Sequence, residues 1–268
     1  MRGWFCRDYE PVATIEPGGS VSFHSLASFW AWEVEDEPEE RPEGVGHALY
    51  GPIEVRGARA GQTLAVRIDE IVPRDWGRTW APPDGEAFTW SLDGDTWRLG
   101  PHAVPSAPFL GVIGMPPPEP GEHSTIPPRR WGGNIDCKEL VVGATLYLPI
   151  PVDDALLMAG DGHGAQGDGE VSGTAIECPL ERVTLTLDLD ERQLRSPIAR
   201  AADSWIAFGF DEDLDVAAEQ ATEAMLDLME CELGVSRAEA WAVASVSVDL
   251  HVTQVVNEVK GVHAILRA

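Results

Sequence analysis

Along Gln62 to Ile71, Leu64, Val66 and Ile68 alternate with Ala65, Arg67 and Asp69, the two-residue period of a strand with one buried face and one wet face. Leu146, Leu148 and Ile150 repeat that period within Ala144 to Ile150, and Val183, Leu185, Leu187 and Leu189 repeat it within Arg182 to Leu189. Three predicted strands are entered through similar glycine turns, at Pro17-Gly18-Gly19, Ala60-Gly61 and Val142-Gly143. Up to about residue 200, short apolar runs punctuated by Gly and Pro favour strands and turns over long helices.

Beyond that point the period changes. Leu214, Ala218, Ala221, Met225, Leu228 and Met229 recur at helical spacing, and Gly234 stands where a helix would end. Ser236 followed by Glu239 is a capping box that opens a second short helix. The chain then returns to alternation over Val246 to Val256, with Val246, Val248, Leu250 and Val252 as the apolar set. This order, a β-rich body followed by helices and a closing strand, predicts a β-rich α+β fold or two interleaved parts, with the helices in the C-terminal α+β part. The provisional parts are residues 1–115, a central segment 116–200 and residues 201–268, interleaved in one globular unit.

Composition narrows the function. With 19 Lys plus Arg against 45 Asp plus Glu, the net charge is −26, and no basic stripe is available to displace counterions from a phosphate backbone. Nucleic acid is therefore not expected as a partner. No apolar run has the length of a membrane span, and the N-terminal residues lack the apolar stretch of a secretion signal, so neither a membrane nor export is expected and the location expected is cytoplasmic. Cys6, Cys137, Cys178 and Cys231 contain no CxxC pair and read as free thiols. Glu33 to Glu43, acidic with two prolines, reads as a surface loop.

Two segments carry polar residues that do not read as surface. Asn134, Asp136 and Lys138 fall at alternate positions, and an extended backbone would point all three to one face. From Gly160 to Gly173 six glycines surround Asp161, His163, Gln166, Asp168 and Glu170, with Glu177 just beyond. Glycine adds no side chain, so this density lets nearby polar groups converge, as a divalent metal site or a hydrolytic centre requires. One His among carboxylates fits zinc or another transition metal better than an EF-hand calcium loop. A solvated glycine-rich loop is the competing reading.

Residues 127–140 (PPRRWGGNIDCKEL), 146–177 (LYLPIPVDDALLMAGDGHGAQGDGEVSGTAIE) and 252–266 (VTQVVNEVKGVHAIL) resemble the acetamidase/formamidase family, as do 46–66 and 209–225. The resemblance implies β-sandwich and barrel-like parts joined to an α+β element, metal-dependent hydrolysis of a small amide, and a homo-oligomer. Residue by residue it draws in His47 before a Gly-Pro-Ile turn, the Asn134, Asp136 and Lys138 set, and Asp161, His163, Gln166, Asp168, Glu170, Thr174 and Glu177. Cys137 stands where the family carries Thr, Ser172 where Cys is frequent, and Trp131 where a polar residue is usual.

The resulting hypothesis assigns Asp136, Asp161, His163 and Glu177 to a metal, most simply zinc, that activates water. Glu170 is the general base and then acid. Lys138 either stabilises the oxyanion or lowers the pKa of a neighbouring carboxylate, Asp168 completes the catalytic group, and Asn134, Gln166 and His47 bind the amide substrate. Two rivals stay open: a metal-free amidase with Cys137 as nucleophile, and a non-catalytic metal- or calcium-binding module.

Overall fold

The computed structural model describes residues 1–36, 46–82 and 85–267. Most of the acidic loop expected at Glu33 to Glu43 therefore lies outside the described residues. Three sheets form the body. A five-stranded sheet has the order β1 (Ala13–Ile15), β3 (Leu49–Val55), β12 (Leu157–His163), β9 (Phe109–Gly114) and β10 (Gly132–Asn134). An eight-stranded sheet runs β16 (Val248–Gln254), β17 (Lys260–Arg267), β15 (Ser204–Asp211), β14 (Ile198–Ala201), β11 (Thr145–Pro149), β4 (Thr63–Pro73), β13 (Leu180–Asp190) and β2 (Gly19–Ser25). The third sheet is a meander of β5 (Trp76–Ala81), β6 (Glu86–Asp93), β7 (Thr96–Leu99) and β8 (His102–Pro105). The fold is α+β and β-rich, and the eight-stranded sheet takes strands from all three sequence segments, which interleaves them.

The alternating segments become the strands they predict. Leu64, Val66 and Ile68 on β4 are fully buried, and Leu146 and Leu148 on β11 pair opposite Val66 and Leu64. On the other side Leu185 and Leu187 of β13 pair opposite Ile68 and Val66. These side chains join Ile53, Leu110, Ile113 and Leu157 of the five-stranded sheet in one buried cluster, so the two sheets share a core as a sandwich does. The turn glycines Gly18, Gly61 and Gly143 all have positive φ, between 81° and 94°, which removes the steric penalty a Cβ would carry there.

The helix α1 (Leu214–Leu233) begins at Asp213, whose carboxylate accepts from the backbone N–H of Asp215 and Val216, and it ends on Gly234 at φ 65°. Its buried face, Ala217, Ala221, Met225 and Met229, packs with Ala207 of β15 and Val262 and Ala264 of β17 in a second core. The helix comes so close that a Cβ on Gly209 would lie 2.1 Å from the Ala217 carbonyl oxygen. The predicted capping box of α2 (Arg237–Ser247) is present in both directions.

The last alternating segment resolves differently. Val246 is still helical and 86% exposed, and on β16 Leu250 faces solvent while Thr253 and Gln254 are buried. β16 is an edge strand of the sheet, and of its apolar set Val248 packs against the second core while Leu250 does not.

Candidate active site

β12 lies between β3 and β9, antiparallel to both, and all seven of its residues are buried. At Gly160 a Cβ would lie 2.3 Å from the Ala48 carbonyl oxygen, and at Gly162 one would lie 2.4 Å from that of Cys178. These two glycines thus permit close backbone approach as well as convergence of polar groups. Asp161 and His163, on either side of Gly162, converge to 3.3 Å although Asp161, at φ 62°, departs from extended backbone.

Three more segments bring partners to them. β10 ends at Asn134, and the chain then curls around β9, with Ile135 and Asp136 both donating their backbone N–H to the Gly111 carbonyl. Asp136 sits at φ 53°, so the segment is not extended and the single-face geometry expected for residues 134, 136 and 138 does not form. Asp136 turns inward and Lys138 turns to the outer network described below. Glu177 pairs with His163 across an isolated bridge, and Glu170 enters from a loop pinned to β16 at Gly169. Asp136, Asp161 and Glu170 all occupy the left-handed region, which a non-glycine residue adopts only when its surroundings force it.

His163 Nε2 lies 3.3 Å from both Asp161 Oδ2 and Glu177 Oε1, and His163 Nδ1 lies 3.9 Å from Asp136 Oδ1. His163, Glu170 and Glu177 likewise converge within 4.8 Å through one ligand atom each. No member of this five-residue cluster is more than 6% exposed. A Cβ on Gly111 would lie within 2.7 Å of Asp161 Oδ2, Asp136 Oδ1 and His163 Cε1, so glycine keeps the centre of the cluster open.

Four carboxylates around one imidazole leave a buried excess of negative charge, which is costly without a compensating cation. Burial, with Asp161 and Glu177 adding to it, pushes Asp136 up to about 8 against the pull of His163. Glu170 is pushed to about 10, by burial first and Asp136 second. Burial also opposes the charged forms of Asp161 and His163, but their mutual attraction outweighs it, holding the carboxyl low and the imidazole high. Among the described residues, Asp136 Oδ1, Asp161 Oδ1, His163 Nδ1, Glu170 Oε2 and Glu177 Oε2 are all buried without a hydrogen-bond partner. Unpartnered oxygens and an imidazole converging around a space kept clear of side chain could hold a divalent cation.

Of the substrate-binding candidates, Asn134 is buried two residues before Asp136, and its Oδ1 has no hydrogen-bond partner among the described residues. His47 sits at the rim, its Nε2 3.9 Å from Asp161 Oδ2 and its Nδ1 2.9 Å from Thr125 Oγ1. Gln166 donates to the backbone carbonyl of Asp136 at 2.7 Å, leaving its own Oε1 buried and free. Thr174 accepts from the backbone of Trp80.

Lys138 and Asp168 are placed elsewhere. They pair with each other at 2.6 Å, and Asp168 also meets His251 Nδ1 at 2.9 Å, with both side chains about one-third exposed. No ion pair or hydrogen bond among the described residues joins either to the five buried groups. Cys137 is fully buried and donates its thiol proton to Glu139 at 3.2 Å, and burial pushes that thiol well above its ordinary range. A protonated thiol shut away from solvent is not poised as a nucleophile.

Asn257 was not marked by sequence reasoning, yet its Nδ2 donates to Asp136 Oδ2 at 2.5 Å from the turn between β16 and β17. The signal was present, since Asn257 lies in the third family-like segment. Gly111, outside any dense motif, carried no signal.

A sequence model of the acetamidase/formamidase family matches residues 120–266, a span that contains all five clustered residues and Asn257. A formamidase of Methylophilus methylotrophus is 34% identical over 35% of this chain, a match covering 24% of that protein. An acetamidase of Mycolicibacterium smegmatis is 46% identical over 18% of this chain and 12% of its own length. The matched regions thus span a quarter or less of these two relatives. The crystal structure of an acetamidase from Bacillus halodurans superposes with a TM-score of 0.90 at 29% identity, covering 98% of this chain and 94% of the other. With more than half of its length matched by the family's own pattern, the chain belongs to the acetamidase/formamidase family.

Proposed function

We propose that the chain hydrolyses a small aliphatic amide, formamide or acetamide, to the carboxylate and ammonia, with a divalent metal, zinc, held by Asp136, Asp161, His163 and Glu177. The observation that carries this reading is the buried cluster of unpartnered oxygens and imidazole in a chain of this family. When bound, such an ion supplies the Lewis acidity that makes water nucleophilic near neutral pH.

The chain's own groups do the rest. Glu170, buried with Oε2 free, takes a proton from the attacking water as its oxygen bonds to the amide carbon. The same carboxyl returns that proton to the nitrogen as the C–N bond breaks, so ammonia leaves neutral and Glu170 is restored. A cation added among the four carboxylates lowers the raised pKa of Glu170 towards the range in which it can accept that proton. Asn134 Oδ1 and Gln166 Oε1, both acceptors without donors, suit the N–H groups of a primary amide.

Ammonia release from formamide, acetamide and propionamide tests the proposal, using protein as purified, after chelation, and after zinc is restored. Turnover lost on chelation and recovered with zinc is the expected result. Chelator-resistant turnover would overturn the metal assignment, and a folded, zinc-loaded protein that releases no ammonia from any of the three would overturn the substrate class. In Glu170→Gln, turnover falls by about 10²–10⁴, the usual contribution of a positioned acid–base group. Unchanged turnover in that variant would remove Glu170 from the mechanism.

A further inference from the structure

The geometry points to a second cation site, formed by Cys137 Sγ, Glu139 Oε2 and His263 Nε2, that takes one thiophilic transition-metal ion such as zinc. These three atoms lie within 4.8 Å of one another, and the site shares no residue with the carboxylate cluster. Sγ lies 3.2 Å from Oε2, and Nε2 lies 3.4 Å from the same oxygen. Tetrahedral zinc with bonds of roughly 2.0–2.3 Å places neighbouring ligand atoms about 3.3–3.6 Å apart, so little movement is needed to accept the ion.

A cysteine beside a carboxylate is not in itself a site, and the independent observation is His263. Its side chain is fully buried on β17, and among the described residues Nε2 makes no well-formed hydrogen bond, facing Glu139 Oε2 at 3.4 Å. A histidine that merely fills space satisfies both ring nitrogens. Here Nδ1 lies 2.7 Å from Thr253 Oγ1. With Nδ1–H donating to that hydroxyl, Nε2 keeps its lone pair and aims it at Glu139, the arrangement by which an outer partner fixes the tautomer of a metal-bound imidazole. The ring is held on a further side by His251, stacked at 5.1 Å with 11° between planes.

The donors also choose the ion. Thiolate plus imidazole favours zinc, cobalt or iron over calcium or magnesium, whereas the first cluster offers no sulfur among its convergent atoms. Lys138 and Glu139 line a surface cavity of about 620 Å³, so of the three ligand residues Glu139 is the one that borders solvent, while Cys137 and His263 are fully buried behind it. The nearest opposing charge is Lys138 Nζ, 3.9 Å from Glu139 Oε1 but drawn to Asp168 at 2.6 Å. On binding, the ion replaces the proton on Sγ, which passes to solvent. Bound there, it ties the segment after Asp136 to β17 and so cross-links the two sheets next to the first site.

The test uses the whole chain, stripped with a chelator and titrated with Co²⁺ while bound metal and absorption are measured together. Wild type is expected to take two equivalents, one of them with a thiolate-to-cobalt charge-transfer band. Cys137→Ser loses the band and one equivalent, and Glu139→Gln weakens the same step. Asp161→Asn loses the other equivalent and keeps the band, so failure of the proposed active-site metal is distinguishable from failure of this site. Cys231→Ser, at the exposed thiol, keeps both equivalents. A saturated wild-type protein with no thiolate band, or a band that survives in Cys137→Ser, overturns the second site, and the wild-type arm does so whatever the variants' folding.

Discussion

A missing methyl group sets the geometry of the proposed active site. In Gly111→Ala the new Cβ falls 2.4 Å from Asp161 Oδ2, so the carboxylates must move apart or the central space is filled. Amide turnover should drop at least about 100-fold, while circular dichroism stays that of wild type; ångström-scale misplacement of reacting groups has effects of that size. Asp136 gives a prediction of opposite character, in pH. Its pKa is raised from about 3.9 when unfolded to about 8 when folded, so its protonated form stabilises the fold below pH ~4. That contribution is lost as pH rises through 8. In chelated protein the Tm of wild type therefore falls more steeply between pH 5 and 8 than that of Asp136→Asn, and equal slopes would contradict the burial argument. The identities of Asp136, Asp161, His163, Glu170 and Glu177 were legible because acidic groups among glycines in a recognisable motif have few other uses. The departure of Lys138 was not, because it follows from a left-handed turn at Asp136 that alternation along an extended strand does not anticipate.

Elements were readable where two faces differ in polarity. β4, β11 and β13 each have a dry side against the sandwich core and a wetter one, so their two-residue period was visible. α1 announced itself by period and by both caps. β16 misled, because an edge strand beside a polar network buries Thr253 and leaves Leu250 outside, and its preceding valines belong to α2. The meander of β5 to β8 also left little trace, since much of β6 and β8 is exposed and no continuous apolar face is needed. Two element-scale predictions concern the helices. Gly209→Ala pushes a Cβ to 2.1 Å from the Ala217 carbonyl, and urea unfolding should show a loss of about 2–3 kcal/mol as α1 is levered off β15. Ser236→Ala removes the cap of α2 and should cost only about 1 kcal/mol by the same measurement.

At the scale of the molecule, −26 charges on one chain repel one another through solvent. Raising NaCl from 0.01 to 0.5 M shortens the screening length from about 30 Å to a few ångströms, so the melting temperature should rise with salt. A neutral amide feels no such field, and its turnover should change far less. No described helix is long and apolar enough to cross a membrane, and the hydrophobic residues are concentrated in the two cores that flank the eight-stranded sheet. The contact between Asn257 and Asp136 joins positions 121 residues apart and ties the hairpin of β16 and β17 to a carboxylate that follows the far edge of the other sheet. Such a contact cannot nucleate folding, since closing so long a loop is worthwhile only after both sheets exist. Catalytic competence should therefore be the last property to return after dilution from denaturant, lagging behind the recovery of the far-ultraviolet signal.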